Sequence, residues 1–283
     1  MALTVAVIAM GEMGAGIASR LVQRGARVLT NLQGRSADSA ARAAEAGVEA
    51  VDNDEALVSG ADLVLSIVPP ARAGDLARRL LPAIRAANPR PVYVDCNAIA
   101  PQTLHGIASG FAADDLPFVD AGIIGGPPTT AGYNPRLYVS GPGTQAVLAL
   151  NEHGLDVRAL SAELGDASAL KMAYAGTTKG TSAVMVSIML GAARAGVADA
   201  LIAEMADSQP GRLEGAVRQM PMVLRKAYRW DGEMEEIARF LAPETGGSQI
   251  FQGAADLYRQ LAGDFAEGPD SERMGLLKTY GKS

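Results

Sequence analysis

The stretch VAVIAMGEMGAGIASRLVQRG (5–25) decides how this chain is read. A short apolar run predicts a strand, Gly11 and Gly14 predict a turn, and the residues up to Gly25 predict an amphipathic helix. A strand, a glycine turn and a helix start in that order aim several backbone amides and the positive end of a helix dipole at one point. That arrangement suits the pyrophosphate of a dinucleotide, and glycine lets the backbone come close to it. Gly11, Glu12, Met13 and Gly14 are therefore the candidate phosphate contacts. The three-glycine spacing of such loops aligns on Ala9, Gly11 and Gly14, so alanine stands at its first position.

Outward from this stretch, β-type runs recur at 27–30, 62–68, 91–95, 118–124, 136–141 and 156–160, with helical stretches alternating among them. Such alternation predicts a parallel sheet covered by helices on both faces. After Asp166 the β-type runs stop. One long helix is expected over 167–194, then helices around 196–208, 211–227, 231–241 and 248–263. The expected fold is α/β then all-α: a Rossmann-type doubly wound sheet in residues 1–163, then a helical domain in 164–283 that begins with a long interdomain helix.

Composition narrows the function. A chain of 283 residues that is 48% hydrophobic can bury a large core. No apolar run is long enough to span a membrane, and no basic, apolar leader precedes the first strand, so a cytoplasmic protein is expected. A net charge of −6 without a basic run argues against nucleic acid or an anionic membrane as partner. One cysteine, Cys96, and two histidines leave no disulfide framework and no metal cluster to expect. Cys96 itself is expected to be a small buried residue.

The segment VLTNLQGRSADS (28–39) bears on which nicotinamide dinucleotide is bound. An acid at the end of the second strand would bind the ribose hydroxyls of NAD, whereas cationic and hydroxyl groups suit the 2′-phosphate of NADP. No acid occurs before Asp38, and Thr30, Asn31, Arg35 and Ser36 are the candidate phosphate ligands, with Arg35 a permanently charged planar fork. NADP is the expected cofactor.

Four blocks, AMGEMG (9–14), VDCNAIAP (94–101), DAGIIGG (120–126) and GDASALKMAYAGTTKG (165–180), occur in an order that resembles the β-hydroxyacid dehydrogenase superfamily. That superfamily includes 6-phosphogluconate dehydrogenase, 3-hydroxyisobutyrate dehydrogenase and the imine reductases. The tail, with YRWDGEMEEIARF (228–240) and GAADLY (253–258), is similar to the C-terminal domain of a less characterised phosphogluconate dehydrogenase-like branch. The resemblance implies that the strand ends at Ser66–Pro70, chiefly Val68 and Pro69, and at Asn97 and Ala98 border the nicotinamide half of the cofactor. It implies substrate contacts at Ile124, Gly125 and Gly126, where Ile124 replaces the family's serine. It implies also that Lys171 is the general acid and base, that Ala175 stands where the family has a substrate-binding asparagine, and that the helical domain closes over a small-molecule substrate and forms a homodimer.

Lys171 fits that role chemically. Oxidising an alcohol by hydride transfer also removes the hydroxyl proton, and the reverse reaction must return it. Before Lys171 the chain uses only arginine for positive charge, so this lysine in a run of small residues stands out. Helical spacing puts Lys171, Tyr174, Ala175 and Thr178 on one face. Lys179 is expected to be solvated, and Arg225, Lys226, Arg229 and Trp230 form a basic-aromatic patch. Glu233, Glu235 and Glu236 read as the first turn of a helix, and GGSQIF (246–251) as a loop. Met172, Met185, Met189 and Leu190 read as core or interface residues. The expected activity interconverts a hydroxy compound and its carbonyl form. An imine reductase on the same scaffold and a non-catalytic NADP-binding protein are the two alternatives.

Overall fold

The computed structural model describes residues 3–129, 132–268, 271–278 and 280. Two compact units divide the chain, Met1–Met172 and Ala173–Ser283. In the first, strands and helices alternate as β1 (Thr4–Ile8), α1 (Glu12–Gln23), β2 (Arg27–Asn31), α2 (Ala37–Glu45), β3 (Glu49–Val51), α3 (Asp54–Ser59), β4 (Leu63–Ser66), α4 (Pro70–Ala86), β5 (Val92–Asp95) and α5 (Pro101–Ala112). Then come β6 (Phe118–Ile124), β7 (Arg136–Ser140), α6 (Thr144–Leu148), β8 (Asp156–Ser161) and α7 (Asp166–Ala175). The eight-stranded sheet has the order β3-β2-β1-β4-β5-β6-β7-β8. Strand order reverses between β1 and β4, and the crevice beyond the carboxyl ends of strands at such a switch point is where doubly wound sheets take their ligands.

The central strands are apolar at consecutive positions because both faces are covered. Val5, Val7, Leu63, Leu65 and Val94 pack into one core layer, while Ala6, Ile8, Val64, Tyr93 and Phe118 pack into the other. Tyr93, Phe111 and Phe118 cluster in the second layer, with ring centroids 4.8 to 5.6 Å apart.

Two features of the sheet depart from the expectation. β7 runs antiparallel to β6: residues 125–135 join them, and a parallel return would need a crossover of a dozen or more residues. β3 is an edge strand with two exposed residues out of three, so it carries no apolar pattern that would have announced it.

In the second unit, a π-helical stretch (Gly176–Gly180) follows α7 and leads into α8 (Thr181–Arg194), so the single helix expected over 167–194 is interrupted. The remaining helices are α9 (Ala198–Ser208), α10 (Pro210–Phe240), α11 (Thr245–Glu267) and α12 (Glu272–Leu277). α10 unites the two helices expected at 211–227 and 231–241. Its buried Val223, Ala227, Trp230, Met234 and Ile237 recur at intervals of three and four, a stripe that carries the helix through Asp231-Gly232. Glu233, Glu235 and Glu236 are thus interior helical residues, and GGSQIF lies in α11 rather than in a loop.

Met172, Met189 and Leu190 are buried. Lys179 is mostly buried rather than solvated: it is ion-paired with Glu233 and sits 5.4 Å from the centroid of the Trp230 ring. Trp230 is buried too, which removes it from any surface patch with Arg225 and Arg229. Among the described residues, no helix is long and apolar enough to cross a membrane.

Candidate functional site

The glycine turn sits at the switch point. Gly11 is the N-cap of α1 and offers no side-chain cap to the first-turn amides. A Cβ built on Gly11 meets nothing within 4 Å, so the space above those amides is open to a ligand atom. Gly14 works in the opposite way: a Cβ there would fall 1.9 Å from the Ala9 carbonyl oxygen, so glycine is needed for α1 to pack on the strand exit. Arg42 of α2, which the sequence did not single out, fixes the turn by donating from Nε to the Met10 carbonyl at 2.8 Å. An uncapped helix start, open space and a held turn together fit a dinucleotide pyrophosphate.

At the end of β2 the four expected phosphate ligands part company. Thr30 is buried, and its hydroxyl donates to the Val7 carbonyl at 2.9 Å, which makes it a strut between β2 and β1. Asn31 donates to Asp54 at 2.8 Å and accepts from the Gln33 amide at 2.9 Å. Ser36 is exposed and caps α2 by accepting from the Ser39 amide at 3.3 Å. Arg35 is exposed, and partial burial together with the charges of Arg79 and Arg72 lowers the pKa of its guanidinium. Arg72 and Arg79, both from α4, complete a cationic cluster in which Asp54 pairs with Arg79 at 2.9 Å. Three arginines against one acid leave a net positive site beside Asn31 and Arg35.

The exits of β4 and β5 are joined by Asn97. It is 2% exposed; its Oδ1 accepts from the Val68 amide at 2.7 Å, and its Nδ2 donates to Ser66 Oγ at 2.9 Å and to Asp95 Oδ1 at 2.8 Å. The side chain is therefore committed within the protein, and Ile67, Val68, Pro69, Pro70 and Ala98 are the partly or fully exposed members of this edge. Cys96 is buried, and burial pushes its thiol pKa well up.

Lys171 stands on α7, whose start is docked onto β6 by Asp120. That buried carboxylate accepts from Ser168 Oγ at 2.6 Å, the Ser168 amide at 2.8 Å, Ser140 Oγ at 3.1 Å and the Gly165 amide. Burial raises its pKa, and these donors pull it back. Gly122 lets the helix approach, since a Cβ there would fall 2.7 Å from the Ala167 carbonyl oxygen and 3.1 Å from Lys171 Cβ. Lys171, partly buried, then donates from Nζ to the Ile123 carbonyl at 2.7 Å.

Ile124 is buried, whereas Gly125 and Gly126 are exposed. The Gly126 amide donates to the Tyr133 hydroxyl at 3.2 Å, so a phenol from the β6–β7 link meets the glycine pair. Beyond Lys171, Tyr174 and Thr178 are exposed but Ala175 is buried, so these three do not present one accessible face. The sequence did not single out Arg42, Arg72, Arg79, Tyr133, Ser140 or Ser168, although Ser168 lies inside the quoted block 165–180 and Arg72 stands two residues after Pro70.

Residues 4–146 match the family described as the NAD binding domain of 6-phosphogluconate dehydrogenase, and residues 192–261 match a domain of unknown function, DUF1932. A solved conserved protein of unknown function, reported as structurally similar to 3-hydroxyacid dehydrogenases, is 32% identical; the match covers 92% of this chain and 100% of that one, with a TM-score of 0.64. The 3-hydroxyisobutyrate dehydrogenase of Mycobacterium tuberculosis, solved with L-serine, shares the fold with a TM-score of 0.70 at 19% identity, over 99% of each chain. A 3-hydroxyisobutyrate dehydrogenase of Pseudomonas aeruginosa is 30% identical over 127 residues, which are 43% of this chain and 41% of that protein. With its glycine turn at the switch point of a doubly wound sheet and this match over half its length, the chain belongs to the 6-phosphogluconate dehydrogenase-like family of nicotinamide-dinucleotide-binding proteins.

Proposed function

We propose that the protein is an NADP-dependent oxidoreductase that interconverts a hydroxy compound and its carbonyl form, with Lys171 handling the hydroxyl proton. The observation that carries this reading is the setting of Lys171: its Nζ is held 2.7 Å from the Ile123 carbonyl, just before the exposed Gly125-Gly126 pair, on a helix docked to β6 by Asp120. Residues 1–163 take the cofactor, and 164–283 supply substrate closure and the homodimer contact.

The nicotinamide, when bound, takes up or returns the hydride. In the oxidising direction neutral Lys171 accepts the hydroxyl proton as the C–H bond breaks; in the reducing direction the ammonium donates it to the new alkoxide oxygen. The exposed Gly125 and Gly126 backbone, with the Tyr133 hydroxyl, meets polar groups of the substrate. Ile124 and Ala175, apolar where the family has serine and asparagine, favour a substrate less hydrophilic beside the carbonyl than a small hydroxy acid. The Arg35, Arg72 and Arg79 cluster supports NADP over NAD, since three cations near a ribose hydroxyl suit a phosphate there.

The test is calorimetric titration with NADPH and with NADH, followed by turnover of hydroxy acids, aldehydes and imines. Tighter NADPH binding, with alcohol oxidation that falls on the order of 10²–10⁴-fold in Lys171→Ala while cofactor affinity stays the same, is the expected result. Cyclic-imine turnover that survives Lys171→Ala, without alcohol oxidation by the wild type, would overturn it.

A further inference from the structure

Three buried polar residues stand in register where β4, β5 and β6 run out: Ser66 pairs with Asp95, and Asp95 with Asp120. Asp120 is saturated with donors at the start of α7. Asp95 has a different set of contacts. Its Oδ1 accepts from the Asn97 amide at 3.0 Å and from Asn97 Nδ2 at 2.8 Å, while its Oδ2 has no hydrogen-bond partner among the described residues.

Asp95 therefore decides which way the Asn97 side chain faces. A carboxylate accepts only, so the NH₂ end of Asn97 turns to it and the carbonyl end turns to the Val68 amide at the exit of β4. That exit borders the switch-point crevice opened by the glycine turn.

We propose that Asp95 is a positioning residue for the dinucleotide: ionised, it clamps Asn97 against Val68; protonated, it loosens that edge and lowers cofactor affinity. This rests on the reading that the glycine turn binds a nicotinamide dinucleotide.

The groups around Asp95 allow it to change charge near neutrality. Burial is the largest effect and pushes its pKa up to about 7, with the Asp120 charge adding to the rise and the Asn97 donors opposing it. Tyr93 on its own strand and Cys96 just past the strand's end are both pushed well up, so they stay neutral; β4 contributes the Ser66 hydroxyl, β6 the Asp120 carboxylate, and Arg79 of α4 reaches Tyr93 by its charge. The unpartnered Oδ2 can carry the proton without breaking either bond to Asn97. The change is in strength, since a hydrogen bond to a charged acceptor is worth about 1 kcal/mol more than one to a neutral acceptor, which corresponds to roughly fivefold in affinity.

The experiment titrates NADPH calorimetrically into the full-length protein and into Asp95→Asn from pH 5.5 to 8.5. Because the 2′-phosphate titrates near pH 6, the quantity read is the ratio of the two affinities, in which the ligand's own titration cancels. Asparagine mimics the protonated acid, so the ratio should climb from near one to about fivefold in favour of the wild type as pH rises. A ratio that is constant with pH overturns the role of Asp95 and leaves the cofactor reading intact. Failure of the wild type to bind NADPH or NADH at any pH overturns the cofactor reading and this inference with it. Should Asp95→Asn not fold, the Val68 amide resonance of the unliganded wild type decides: a titration step near neutral pH supports the clamp, and a flat profile overturns it.

Discussion

Asp95 and Asp120 lie side by side on adjacent strands, yet the protein treats them differently because their donors differ. Asp120 receives four hydrogen bonds, whereas one oxygen of Asp95 receives none among the described residues. This has a consequence for stability. The folded-state pKa of Asp95 lies above its unfolded value, so the folded chain holds this proton over a range where the unfolded chain has released it. Stability from this group is complete below the unfolded value and is lost as pH rises to about 7, the reverse of the usual surface aspartate. Urea unfolding of Asp95→Asn beside the wild type should show the variant gaining on the wild type by up to roughly 3 kcal/mol between pH 5 and pH 8. A difference between the two proteins that stays constant from pH 5 to pH 8 would mean that Asp95 is ionised in the fold throughout.

At the scale of elements, the helix after β4 does more than cover the sheet. α4 begins with Pro69 at its N-cap and Pro70 in its first turn, and it brings Arg72 and Arg79 to the side of Arg35. Removing Arg72 by Arg72→Ala should weaken NADPH binding about tenfold and leave NADH nearly unchanged, because only the former carries the 2′-phosphate. Equal losses for the two dinucleotides, measured by calorimetry, would place Arg72 elsewhere in cofactor binding. In the second unit, α10 runs unbroken through Gly232, where a Cβ meets nothing within 4 Å. Gly232→Ala should therefore stabilise the protein by about 0.5–1 kcal/mol, seen as a rise in Tm, since alanine loses less conformational entropy in a helix. A fall in Tm would show that the helix needs a glycine there.

At the scale of the whole molecule, the proposed homodimer draws support from the surface of the helical unit. Val184, Ile188, Tyr228 and Ile250 are each more than half exposed, and Val184 and Ile188 stand one turn apart on α8. Apolar side chains clustered on one helix are what a second copy would cover. Sedimentation equilibrium should give twice the 29.2 kDa chain mass, and Ile188→Glu should shift it toward one chain mass with secondary structure retained. A single-chain mass for the wild type would remove the homodimer from the proposal.

The amino-acid order by itself determined the alternation of strands and helices, the glycine turn after β1 and the change to helices after Asp166, because these follow from local periodicity and backbone freedom. It singled out Lys171 by its setting, although what that lysine touches was not readable. The antiparallel entry of β7, the edge strand β3 and the passage of α10 through Asp231-Gly232 were decided by pairing and packing partners distant in sequence. Thr30 looked like a phosphate ligand until the fold gave its hydroxyl the Val7 carbonyl, and Lys179 looked solvated until α10 brought Glu233 and Trp230 to it. The arginine cluster and the Asp95–Asn97–Val68 clamp belong to the same class. A side chain's hydrogen-bond and charge partners are chosen by tertiary contact, and sequence spacing carries no record of them.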